Sequence, residues 1–368
     1  MTNPAGLEAA ARRIRALAYR GLDSVELRLE TLREIRAVVP IDGAFFPTAD
    51  PATLLYTSAV RVDMPDGVTG EFLDNEFHAE DVNKFRSLAH ASSTVATIDV
   101  VTRGDRTTSR RSREIMAPLG LGDELRAAFR TGSVTWGFAC LHRASTSASF
   151  SAEEVAFIAA LSPHVAEGLR RAVMTERAAK DATPDGPGII TLAPDGTLLA
   201  ATATGERWLA DLADAERTRS SPLPLAVLAV AQALTDTTDG ARVPRLTVRG
   251  ASGRWLVLHA AHLASAGHVQ VAVVIEPASP AELEPMIAVG YSLTAREAET
   301  LTLLLRGLPS KAIAAQLKVT THTANDHIKA IFTKTSARTR GELMAAVFRD
   351  HHAPDRHPRA PVAPLLKP

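Results

Sequence analysis

Residues Leu293 to Phe348 constrain this chain more than any other stretch, because helix start signals, stop signals and periodicity agree there in one register. Thr294-Ala295-Arg296-Glu297 has the form of a capping box: the Thr294 hydroxyl accepts from the Glu297 N–H, and the Glu297 carboxylate accepts from the Thr294 N–H. Ala298, Leu301, Leu304 and Leu305 follow as one apolar stripe, and Gly307 after Arg306 stops the helix. A second helix is predicted from Ser310 to Lys318, with Ile313, Ala314 and Leu317 turned inward. Val319 and Thr320 make a short turn, and Thr320 caps a third helix starting at Thr321. That helix carries Ala324, Ile328, Ile331 and Phe332 on its buried side and Thr321, His322, Asn325, Asp326, Lys329 and Thr333 on the other. A fourth helix, Arg340 to Phe348, offers Leu343, Ala346 and Val347 for packing or pairing.

Two short helices, a tight turn and a polar-faced second helix fit the motif that lays its recognition helix in the DNA major groove. Charge agrees with this. Residues 291–349 hold nine Lys/Arg against four Asp/Glu, a net of +5, whereas the whole chain balances 41 basic against 41 acidic residues. The remainder therefore carries −5, the split expected when a phosphate-binding segment is attached to a neutral regulator. The competing expectation is a signalling adaptor whose C-terminal helical bundle binds a protein partner instead of DNA.

Leu293-Thr294, Arg296-Glu297, Gly307-Leu308, Lys311, Ile313-Ala314, Leu317, Thr323, His327, Ile331, Lys334, Arg340 and Glu342-Leu343 resemble the LuxR-type (GerE-like) helix-turn-helix family, without a gap over about 55 residues. The resemblance implies a DNA-binding transcriptional regulator, not an enzyme. It places base-edge contacts on Asn325, Asp326 and Lys329, with His322 and His327 beside them, and backbone contacts near Thr320, Thr321, Lys311, Lys334 and Arg340. The family has a lysine where Asn325 stands, an apolar or small residue at Asp326, and a glycine where Ser336 follows the recognition helix. Asn can pair with adenine N6/N7 and Asp can accept from cytosine N4, so family target sequences do not transfer. Lys329 or His327 is expected to offset the Asp326 charge.

At 368 residues, two or three domains are expected. The single cysteine, Cys140, excludes an internal disulfide and fits a reducing cytosol. No N-terminal segment has the form of a signal peptide, and the longest apolar run, Pro224 to Leu234, is too short to span a bilayer. The expectation is a cytoplasmic protein with no membrane partner.

Before the DNA-binding segment, Gly6–Val39 reads as one amphipathic helix. Strands are predicted at Gly43–Phe46, Leu54–Val62, Val95–Val101, Leu125–Arg130 and Val134–Leu141, and helices at Gly70–Phe77 and Asp81–His90. Ser151–Lys180 is a long helix with a capping box at Ser151-Ala152-Glu153-Glu154 and an expected kink at Pro163. The pieces NEFHAEDVNKF, GDELRAAF and WGFACLHR resemble the GAF-like half of actinobacterial LuxR-type regulators. After the linker Asp181–Gly188, strands at Gly188–Leu192 and Thr197–Ala200, helices at Thr204–Ala213 and Leu225–Leu234, and strands at Arg245–Arg249, Arg254–Ala260 and Val269–Ile275 follow the order of a PAS-like fold. The whole is thus a multidomain α+β chain: a GAF-like sensor domain over 1–180, a PAS-like domain over 187–278, an all-α four-helix helix-turn-helix domain over 286–349, and a disordered tail over 350–368. Pro277–Pro285 reads as a linker. Dimerisation is expected through the N-terminal helix, Ser151–Lys180 and Arg340–Phe348, with RNA polymerase and a small-molecule or protein signal as further partners.

Trp136, Phe138, Cys140 and His142 should share one face of a strand by period-two alternation. With Phe46, Phe72 and Phe77 they could wall a ligand pocket, although such stripes usually mean packing. A lone apolar-flanked cysteine reads as inert. His78, His90 and His142 lack metal-ligand spacing, so no metal or cofactor is expected. A phosphate-binding Gly-rich loop, a Gly-x-Ser-x-Gly elbow and a receiver-type acidic cluster are all missing from the sequence.

Overall fold

The computed structural model describes residues 4–65, 67–175, 186–216, 223–234, 243–265 and 268–343. It opens with two helices where periodicity predicts one, α1 (Pro4–Leu17) and α2 (Ser24–Arg36). Gly21 takes a left-handed φ of 75° between them, and the Asp23 carboxylate accepts from the Val25 and Glu26 N–H groups at 2.9 Å. The apolar stripe runs across this break because both helices bury it in the same core.

Strands β1 (Gly43–Ala49) and β2 (Tyr56–Val62) precede α3 (Thr69–Phe77) and α4 (Phe85–His90). The predicted helix start at Asp81 is too early: Asp81 accepts from the Arg111 N–H at 2.6 Å, and Asn83 is left-handed at φ 54°. Strand β3 covers only Val95–Thr97. There the Thr97 hydroxyl accepts from the Val100 N–H and caps the single turn α5 (Ile98–Val101), so the valine pair read as strand is helical and solvent-facing. Strands β4 (Leu121–Thr131) and β5 (Val134–Ala144) complete an antiparallel sheet of order β2-β1-β5-β4-β3. Helix α6 (Ala152–Thr175) lies across one face together with α1 and α2. It stays helical through Pro163.

A second sheet repeats this order. Strands β6 (Gly188–Leu192) and β7 (Leu198–Ala201), helices α7 (Ala203–Glu216) and α8 (Leu225–Gln232), then β8 (Arg245–Arg249), β9 (Trp255–Ser265) and β10 (His268–Pro277) form the sheet β7-β6-β10-β9-β8. Two strands, helices and three antiparallel strands is the predicted order. Helix α8 serves both layers: Ala226, Val227 and Val230 enter the second core, while Leu225 and Ala229 pack into the free face of the first sheet. Across the same junction the Asp50 carboxylate accepts from the Thr247 N–H at 2.8 Å.

The segment expected as a linker, Pro277–Pro285, begins at the end of β10 and from Pro280 is part of a helix, α9 (Pro280–Gly290). Pro280 sits in its first turn, where no N–H is needed, and the Glu282 carboxylate accepts from the Ser279 N–H at 2.7 Å. Helices α10 (Ala295–Leu305), α11 (Ser310–Leu317) and α12 (Thr321–Thr335) follow, and helix resumes over Arg340–Leu343. The rest of the predicted fourth helix, the tail 350–368 and positions 181–185 of the predicted linker lie outside the described residues. Among the described residues no helix is long and apolar enough to cross a membrane.

Candidate nucleic-acid interface

Helix α12 is held by contacts its own sequence announces. Both halves of the Thr294–Glu297 capping box form, with N–H donors at 2.6 Å and 3.3 Å. The same Glu297 carboxylate takes the Lys334 ammonium at 2.6 Å, tying the start of α10 to the end of α12. Burial opposes the Glu297 charge, yet Lys334 and the Thr294 donors hold its pKa below the usual carboxylate range. A folded pKa below the unfolded one stabilises the fold above the unfolded pKa, and that gain is lost as pH falls through the folded value. Amide-exchange protection of Thr294 and Glu297 in the full chain should therefore fall on acidification, and Glu297→Gln should remove most of that pH dependence.

Three turns set the register. The Thr320 hydroxyl accepts from the Thr323 N–H at 3.1 Å, starting α12 as predicted. Lys318 ends α11 at φ 55°, and Ser336 ends α12 at φ 57°, both left-handed. Ser336 thus keeps the turn that a glycine would make without steric cost. Replacing it, Ser336→Gly, is expected to raise the stability of this module by about 1 kcal/mol in chemical denaturation.

Ala324, Ile328 and Ile331 of α12 are buried against α10 and α11, which leaves Thr321, His322, Asn325, Asp326 and Lys329 exposed along the opposite side. His327 is half-buried at the margin, and Thr320 and Lys311 are exposed beside the helix. The partner of Asp326 is His322, one turn earlier at 3.9 Å, not Lys329 or His327. Two of the residues assigned to backbone contacts have internal partners. Lys334 bonds to Glu297 and, at 3.1 Å, to the Ser292 carbonyl. Arg340 donates to the Leu304 and Leu308 carbonyls at 2.7 Å and 2.8 Å, closing the C-terminal end of α10. These two cations hold the scaffold, and Lys329, Lys311 and the helix dipole at Thr320–Thr321 supply the positive potential on the open face.

Residues 291–347 match the family model described as bacterial regulatory proteins, luxR family. They form a LuxR-family domain. The nitrate/nitrite response regulator protein NarL of Escherichia coli is 32% identical over 113 residues, 28% of this chain and 52% of that protein. A second Escherichia coli strain gives the same figures. The chain spans about half the length of the curated relatives it matches. Among solved structures, a phycoerythrobilin-bound GAF domain from a cyanobacterial phytochrome aligns at TM-score 0.33 and 16% identity, over 45% of this chain and 95% of its own. The Escherichia coli DhaR(N)-DhaL complex aligns at TM-score 0.24 and 12% identity, over 75% and 91%.

Outside the LuxR-family domain, the aromatic set proposed as a pocket wall is divided by the first sheet. Phe72, Phe77, Phe138 and Cys140 lie on the face toward α3, α4 and α8. Phe46 and Trp136 belong to the opposite core, under α6, and Phe45 takes the place expected of Phe46. The cause at Trp136 is a β-bulge. Phe129 pairs with Gly137 and Arg130 with Thr135, so Trp136 is the extra residue and its side chain changes face.

The face that remains carries a buried charge network that sequence reasoning missed. One oxygen of Glu124 accepts from Arg111 at 2.7 Å and 3.0 Å and from Arg126 at 3.1 Å, while Arg126 also reaches Glu76 at 2.7 Å. Arg126 lies 4.5 Å from the ring centre of Phe85. Burial raises the Glu124 pKa, but the two guanidinium groups outweigh it and hold the carboxyl far below its usual range. His142 is held neutral, its pKa lowered to about 4 chiefly by burial. Burial likewise pushes the Cys140 thiol up, so it is not a ready nucleophile. The available signal was the spacing of Glu124 and Arg126, two charges on one face of a strand whose other face is apolar.

Proposed function

We propose that this chain is a DNA-binding transcriptional regulator that couples a signal received by its two-sheet region to operator binding through α12. The observation that carries the reading is the division of α12: Ala324, Ile328 and Ile331 are buried, while Asn325, Asp326 and Lys329 are exposed on the opposite side. A helix so placed, N-capped by Thr320, can enter a major groove with three polar side chains toward base edges.

The reading takes residues 1–180 as a GAF-like and 187–278 as a PAS-like receiving domain, and 286–349 as the DNA-reading domain. Direct contacts between α6 and α9 support the coupling. Arg170 donates to the Gly290 carbonyl, and Met174 lies where a side chain at Gly290 would stand. Arg249 of the second sheet donates to the Val173 carbonyl at 3.1 Å. The second sheet therefore meets the end of α6, which also packs on the first sheet, next to the helix that leads into the LuxR-family domain. A homodimer would read two half-sites about one helical turn apart, with RNA polymerase as the partner of the bound form.

Operator fragments selected from genomic DNA test the reading. Asn325→Ala should relax discrimination at one base pair by about 1–3 kcal/mol, and Lys329→Ala should reduce binding to specific operator DNA. Unchanged affinity and footprint for both variants would move the contact surface away from α12 and favour a protein-binding adaptor.

A further inference from the structure

We infer that Glu124, Cys140 and His142 form a binding site for one thiophilic divalent cation of the zinc class, inside the first sheet domain. Sheet register brings them together. Glu124 on β4 is the direct cross-strand partner of His142 on β5, and Cys140 stands two residues before His142 on the same face. Each offers one ligand atom, and the three atoms lie within 4.8 Å of one another. Zinc bonds of about 2.3 Å to sulfur and about 2.0–2.2 Å to nitrogen and oxygen need only a modest contraction of this triangle.

Two further observations point to an occupant. The second carboxylate oxygen of Glu124, 4.0 Å from Nε2 of His142, and the His142 Nδ1 are fully buried and have no hydrogen-bond partner among the described residues, although unsatisfied buried polar atoms are costly. All three residues also line one cavity of about 40 Å³, walled by Phe45, Phe72 and Met116. That space is large enough for a water as fourth ligand. Beside it, Ser112–Met116 is a π-helical turn, a form frequent at functional sites.

The charge count favours a divalent ion despite the nearby arginines. Arg111 and Arg126 face three carboxylates, Asp81, Glu76 and Glu124, which leaves one net negative charge in the fully buried cluster, with the half-buried Arg61 a further cation on the cavity wall. When the ion binds, the Cys140 S–H bond breaks, its proton passes to water and a metal–sulfur bond forms. Two positive charges enter and one proton leaves, so the cluster becomes neutral. Thiolate, imidazole and carboxylate together suit zinc or cobalt and not magnesium or calcium.

Titration of the reduced, metal-free full chain with cobalt(II) tests the site. Cys140 is the sole cysteine of the chain, so any thiolate-to-cobalt charge-transfer band must arise from it. The expected result is one equivalent of cobalt with that band and tetrahedral visible bands, both displaced by zinc. Cys140→Ser should lose the band and bind cobalt at least tenfold more weakly. His142→Gln should keep the band but also bind at least tenfold more weakly, with circular dichroism confirming that each variant is folded. Should Cys140→Ser not fold, the wild-type band and the His142→Gln affinity decide alone. No charge-transfer band in the folded wild type would overturn the site, as would equal affinity in the folded variants. The assay contains no DNA, so its outcome is separate from that of the α12 reading.

Discussion

Glu124→Ala is expected to destabilise the first sheet domain by about 3–5 kcal/mol, the cost of leaving a buried ion network without one partner. The side chains of Glu124, Arg111 and Arg126 are all within 1% of complete burial. Without Glu124, Arg111 keeps Asp81 at 3.8 Å, Asn75 at 3.3 Å and the Val82 carbonyl, none of which replaces a carboxylate at 2.7 Å. Arg126 retains Glu76, but its Nη2 already lacks a partner among the described residues. The loss should spread, because the other Glu76 oxygen accepts from the Phe85 N–H at 2.7 Å and so positions α4. Urea unfolding followed by tryptophan fluorescence should show a lower midpoint at unchanged slope. Removing the exposed Arg110–Glu114 pair, by contrast, should change little.

Ile331→Ala is expected to cost about 2–5 kcal/mol, enough to unfold much of the C-terminal module. Ile331 is completely buried, on the side of α12 that faces α10 and α11. The core it joins in this module is small, with Leu301, Leu304, Ile313 and Ala324 among its other buried members. The consequence for function should be total where that of Lys329→Ala is partial, since the whole reading face moves with the helix. Circular dichroism melts of the two full-length variants separate the cases: Lys329→Ala should melt as the wild type does, and Ile331→Ala should lose an early helical transition.

What the sequence made legible was governed by range. The Thr294–Glu297 box, the Thr320 cap and the Ala324–Ile328–Ile331 stripe are decided within a few residues, and all three form as read. The order of elements along the chain in the second sheet region, two strands, helices and three strands, also followed from local alternation and turns. Failures came where a neighbour decides. A continuous stripe hid the Gly21–Asp23 break because α1 and α2 share one core. A prolines-at-both-ends segment read as linker is a helix, since Pro280 occupies a first-turn position. The Trp136 bulge changed the face of an aromatic residue, a change visible only in cross-strand pairing. The charge network and the Glu124–Cys140–His142 cluster require β4 and β5 to be in register, which no spacing along either strand reveals. Likewise Arg340 reads as a free cation until it is seen to close α10.

The central claim is that α12 reads DNA, and the most direct measurement is binding of the full chain to genomic fragments across a salt series. Affinity should fall linearly on a logarithmic salt scale, and Lys329→Ala should weaken binding to the specific operator. Failure to bind any fragment at low salt, or binding insensitive both to salt and to Lys329→Ala, would contradict the account.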